Sequence, residues 1–170
     1  IRARLVGSEM CIRDRWKYHK WGGILDKAKT PSLHNSVNNF YWNKRKFVKN
    51  ADLNEIKMEL QAQISLAKSM GLKPSHIDSH EGALFFDPNI FKIYIDLAIE
   101  NDLLAFVPIE ASMHFNGELD KPNNAVIIDQ FHMLHGGTEV EDIENFYFNV
   151  IRNLKPGLSQ IIIHLGKDEP

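Results

Sequence analysis

Residues 74–82 read Pro-Ser-His-Ile-Asp-Ser-His-Glu-Gly. The imidazoles of His76 and His80 and the carboxylate of Asp78 are donors suited to divalent cations, and they can also move protons. On a strand, the period of two puts His76, Asp78 and His80 on one face and Ile77 and Ser79 on the other. On a helix the two histidines would also share a face, being four apart. Gly71 and Pro74 before the stretch and Gly82 after it favour the strand. Three polar, ligand-type side chains on one strand face make a poor core and a reasonable metal or acid/base site.

The elements that must position these residues follow from hydrophobic period and caps. Residues 52–70 carry a stripe of Leu53, Ile56, Leu60, Ile64, Ala67 and Met70 at helical spacing. Asp52 with Glu55 three residues on forms a variant of the capping box, and Gly71 is the stop. A second helix begins at Asp87-Pro88, buries Ile90, Phe91, Tyr94, Ile95 and Ala98, and ends near Asn101. A third has Thr138 and Glu141 as its capping box and Val140, Ile143, Tyr147, Val150 and Leu154 as its stripe. Between them lie short apolar runs at residues 104–109, 125–130 and 160–164, each reading as a buried strand. Apolar strands alternating with amphipathic helices indicate an α/β fold with a parallel sheet. Function in such folds collects at the C-terminal ends of the strands, where His80, Glu110, Asp129 and His164 stand. His80 and His164 are therefore the leading pair for a cation or a proton transfer. His132 and His135, in Phe-His-Met-Leu-His-Gly-Gly, read as a solvated loop.

The chain has 170 residues, enough for one domain, with 44% hydrophobic and 25% charged residues. A net charge of −2 without a basic block argues against nucleic acid. No apolar run reaches the ~18 residues of a membrane span. The single cysteine, Cys11, excludes an intrachain disulfide and a thiolate cluster. Residues 16–49 hold seven aromatics without a sustained period, which predicts a long ordered loop with a short hairpin around Phe40 to Phe47. Residues 1–15, with Arg2, Arg4, Arg13 and Arg15 and no clear period, resemble translated sequencing-adaptor read-through. They are set aside as non-native, leaving 16–170 as a fragment of a single domain cut at both ends.

Gly71-Leu72-Lys73-Pro74-Ser75-His76-Ile77-Asp78-Ser79-His80 resembles the Gly-Leu-x-Pro-Thr-His-Ile-Asp-Ser-His signature of the YdjC-like carbohydrate deacetylases. The preceding helix and the Ile161-Ile162-Ile163-His164 segment are similar as well, although Leu165 stands where that family commonly has proline. The resemblance implies a partial (β/α) barrel like that of the polysaccharide deacetylases. It implies hydrolysis of the N-acetyl group of amino sugars or short oligosaccharides. It also implies a divalent ion, Mg2+ or Zn2+, with His80 as one ligand.

Two further ligands implied by the resemblance have no counterpart here. They are an aspartate from an N-terminal Asp-Asp motif and a histidine from a Leu-His-Leu-Thr segment ahead of the tryptophan matching Trp16. Residues 8–15 stand in place of the second, so this polypeptide is expected to lack part of the site. By the same resemblance His164 is the candidate acid, and His76 and Asp78 orient His80 and that acid. Glu81, Phe85 and Trp21 are candidates for sugar contact, and Phe86 with them. The expected location is cytoplasmic, with an N-acetylated sugar as partner, no nucleic acid or membrane, and a homodimer left open. Rival readings are another barrel metallohydrolase, such as an amidohydrolase or phosphoesterase, and a non-catalytic carbohydrate-binding domain.

Overall fold

The computed structural model describes residues 8–10, 22–41, 43–115, 124–134 and 140–163. Among the described residues, strands and helices follow one another in an α/β order: β1 (Ser8–Met10), α1 (Lys44–Asn50), α2 (Leu53–Ser69), β2 (His76–Ser79), α3 (Pro88–Glu100), β3 (Leu104–Pro108), α4 (Ile109–His114), β4 (Ala125–Ile128), β5 (Gln130–Met133), α5 (Val140–Arg152) and β6 (Ser159–Ile162). Strands β1, β2, β3 and β4 form one sheet in that order, and β5 pairs with β6; every pairing is parallel. Only Asp129 separates β4 from β5, so one bent strand hands the ladder from β3 to β6. Residues 1–15, set aside on sequence grounds, supply β1, which pairs Ser8 with Ile77 and Met10 with Ser79. Among the described residues no helix is long and apolar enough to cross a membrane.

The helices form where their caps and stripes dictate. The Asp52 carboxylate accepts the N–H groups of Asn54 and Glu55, and Asp87 accepts those of Asn89 and Ile90. At the end of α2, Gly71 sits at φ 82°, and Gly71 N and Leu72 N bond back to Lys68 O and Ala67 O, the pattern of a Schellman stop. Ile56, Leu60 and Ile64 of α2 and Ile90, Phe91, Tyr94, Leu97 and Ala98 of α3 bury against Ile77, Ala105 and Val107 of the sheet. Each isoleucine, leucine, valine or phenylalanine among them is worth about 1.5–3 kcal/mol of burial, so this helix-covered face of β2 and β3 is what holds the sheet.

Residues 22–41 form an ordered loop, as expected for that part of the chain, but α1 follows where the sequence predicts a hairpin. Asn43 caps that helix by accepting from Arg45 N and Lys46 N, and among the described residues strand pairing there is one bridge between His34 and Phe40. The loop is fastened to α2 by carboxylates. Fully buried Glu59 accepts Ile24 N at 2.8 Å and Leu25 N at 2.9 Å, and its other neighbour is the Gln63 amide. The next amide upstream, Gly23 N, donates to Nε2 of buried His34 at 3.2 Å, while the Nδ1 of that ring bonds Thr30 O at 2.8 Å. Glu55 takes Ser32 N and Oγ, so its side chain serves the loop where the capping box assigned it to the helix terminus.

Candidate active site at the rim of the parallel sheet

Strand β2 keeps the expected alternation. Ile77 and Ser79 are buried on the helix side, and His76 and Asp78 are half-buried on the opposite face. His80 departs from the expectation: it leaves the strand and opens a 3-10 turn, His80–Phe85. The turn exists because Glu81 (φ 50°) and Gly82 (φ 64°) take left-handed conformations in succession. Glu81 has no glycine freedom, and strain of this kind persists only where neighbours over-determine the backbone. One such neighbour is Ser79, whose Oγ accepts Leu84 N at 2.9 Å across the turn. His80 is thereby carried to the C-terminal rim of the sheet, with its Nε2 closed off from solvent.

Asp78 spans the interior. Its Oδ1 accepts Ser79 N at 2.7 Å, and its Oδ2 accepts the amide of Gln160 on β6, also at 2.7 Å. In a flat sheet β2 and β6 would stand three strand intervals apart, ~14 Å. An aspartate and a glutamine meet over that interval only if the sheet curls and both side chains face the concave side. On the same face His76 lies flat on Phe106 of the neighbouring strand β3, ring centroids 4.0 Å apart and 8° from parallel. His76 Nδ1 pairs with Ser75 Oγ at 3.0 Å. Burial in this stack lowers the His76 pKa from its ordinary 6.5, and the Asp78 charge opposes the shift. Behind β2 the hydroxyl of Tyr94 lies 2.8 Å from Ile77 O and 3.0 Å from Phe106 O, tying two strands to α3. Burial raises the Tyr94 pKa well above 10.0, with Asp78 adding to the rise and the Phe106 carbonyl opposing it.

The other expected residues fall as follows. Glu81 is exposed on the turn. Phe85 leans edge-on against Phe91 and Tyr94, with centroids 6.0 and 5.8 Å away. Glu110 follows β3 in the first turn of α4. His164, Trp21 and His135 lie outside the described residues. His132 is on strand β5, where a loop was read, and its Nε2 is buried without a hydrogen-bond partner among the described residues. The register pairs Gln160 with Phe131 and Ile161 with His132. Paired residues of a parallel ladder share a face, so His132 points away from the face on which Gln160 meets Asp78.

Sequence reasoning missed Gln160, Glu59 and His34. A polar residue opening the run Gln-Ile-Ile-Ile-His was the available signal for the first; Glu59 on the apolar side of an amphipathic helix was the signal for the second. Imidazole and carboxylate chemistry at β2 suits a divalent ion, but no group of three or more His, Cys, Asp or Glu is gathered to hold one among the described residues. His80 is a single donor, and any full ligand set draws on residues beyond those described.

The protein family described as YdjC-like matches residues 12–170. The chain belongs to the YdjC-like family. The fold agrees with a crystal structure from Enterococcus faecalis V583, a protein provisionally assigned to cellobiose-phosphate cleavage. That structure superposes on this YdjC-like chain with a TM-score of 0.71 at 20% sequence identity, covering 97% of this chain and 61% of the other. The chain thus spans about six tenths of that protein's length. No curated protein matches it.

Proposed function

We propose that this YdjC-like chain is a carbohydrate hydrolase that removes the N-acetyl group from amino sugars or short oligosaccharides, on a partial (β/α) barrel. The observation that carries the reading is His80, held on a strained turn at the C-terminal rim of a curled parallel sheet, the end at which sites of such folds collect. The family and the carbohydrate reaction for which the E. faecalis protein is named support the substrate class.

Hydrolysis of an acetamide needs a polarised carbonyl, a water stripped of a proton and an acid for the departing amine. A divalent ion would supply the first as a Lewis acid, with His80 as the described residue to hold it. Asp78, fixed by Ser79 N and Gln160, orients the turn that carries His80. His164 is proposed as the acid. Glu81 and Phe85, both in the turn that His80 opens, and Trp21 are proposed to contact the sugar.

The name of the E. faecalis protein favours a second reading, cleavage of a phosphorylated disaccharide. Product analysis separates the two. Incubation with N-acetylglucosamine oligomers and a divalent ion is expected to give acetate and free amine in equal amounts. Release of phosphate or shortened sugar from a phosphorylated disaccharide, without acetate from the oligomers, would replace the first reading with the second.

A further inference from the structure

We infer that α5 is a self-association surface, on which a second copy of this chain packs its own α5 antiparallel about a two-fold axis at Phe148. Helix α5 turns one stripe inward: Ile143, Phe146 and Tyr147 are half-buried and Val150 is buried. Two large apolar side chains lie off that stripe, Phe148 with 49% of its surface exposed and Ile151 with 60%. Being three residues apart, they share a face of the helix. The charges beside them select what covers that face. Glu144 stands four residues before Phe148 and Arg152 four after, so both lie on the Phe148 face, at opposite ends of it. Both are exposed, and neither is in an ion pair among the described residues. The Arg152 guanidinium stands 5.7 Å from the centroid of the Phe148 ring, which confirms the shared face. The helix is acidic at its start, with Glu141 and Asp142 in the first turn, and basic at its end.

Such a face repels a parallel copy, in which each end meets its like. It attracts an antiparallel one. Equal spacing about Phe148 lays Glu144 of each copy against Arg152 of the other, two ion pairs about one axis. The opposed helix dipoles add to the attraction. Phe148 and Ile151 of both copies fill the centre between the pairs. The helix has 13 residues and is ~20 Å long. One helix pair of that length is a small interface beside the ~1,200–2,000 Å2 of stable complexes, so association is weak and concentration-dependent.

The inference is independent of the hydrolytic reading. Its test is sedimentation equilibrium of the full chain over a range of concentrations, in which the wild type is expected to pass from monomer to dimer. Glu144→Arg and Arg152→Glu each replace two attractions with two repulsions and are expected to weaken the dimer at least ~tenfold. An equimolar mixture of these two variants restores both ion pairs in the mixed dimer and is expected to recover most of the wild-type association. Lys46→Glu, at an exposed position of α1, makes the same change of net charge as Arg152→Glu and is expected to leave the dimer as it is. Urea unfolding checks that every variant keeps the wild-type midpoint, since all these positions are exposed. A wild type that stays monomeric throughout would overturn the inference and leave this face to another occupant. Single swaps that leave the dimer intact, a mixture no tighter than its components, or equal weakening by Lys46→Glu would overturn it as well.

Discussion

Asp78 of β2 and Gln160 of β6 are 82 positions apart in the chain and 2.7 Å apart in space. That one hydrogen bond measures the curl of the sheet and joins two strands that share no ladder. Removing its donor takes one hydrogen bond from a half-buried carboxylate. A hydrogen bond to a charged group contributes about 1.5–3 kcal/mol, so Gln160→Leu should lower stability by roughly that amount in urea unfolding.

Glu59 is expected to be the most costly polar residue to remove. Glu59→Gln keeps one acceptor oxygen where two backbone amides need two, a loss of about 1–3 kcal/mol; Glu59→Ala, leaving both unmet, should lose more. Gly23→Ala should destabilise through the same group, because a Cβ there would stand 2.6 Å from Glu59 Oε2. The two changes should be non-additive, with Gly23→Ala losing most of its effect once Glu59 is alanine. A double-mutant cycle in urea measures this.

His76 predicts a pH dependence with a definite sign. Its folded pKa is lowered from 6.5, so the unfolded chain binds the proton more readily. The contribution to stability is present above 6.5 and is lost as pH falls through the folded value. Unfolding at pH 7.5 and at successively lower pH should show that loss. His76→Phe, which keeps the stack on Phe106, should make it smaller.

Tyr94→Phe removes the hydroxyl shared by the Ile77 and Phe106 carbonyls and should lower stability by about 1–2 kcal/mol. Because the folded pKa is raised above 10.0, the native state resists ionisation. Stability should therefore fall as pH rises past 10 in the wild type, and less steeply in the variant.

Local signals made much of this fold readable in advance. Asp52, Asp87 and Gly71 act within one turn of themselves, so helices α2 and α3 and their limits follow from sequence. The alternation of His76 and Asp78 with Ile77 and Ser79 gave β2 and its two faces. His80 reads as a strand residue because nothing in the sequence marks Glu81 as one that will take a left-handed backbone. Phe131-His132-Met133 has a strand's alternation, but the neighbouring Gly136-Gly137 drew it into a loop. The partnership of Asp78 with Gln160 is invisible to any local pattern, since it depends on how far three intervening strands curl.

A hydrolytic centre for N-acetylated sugars built on His80 is tested by acetate release from N-acetylglucosamine oligomers by the wild-type chain and by His80→Ala, with a divalent ion supplied. Acetate from the wild type that falls at least about a hundredfold in the variant, while both unfold at the same urea concentration, is the predicted result. Equal release from the two proteins, or none from the wild type, would contradict it.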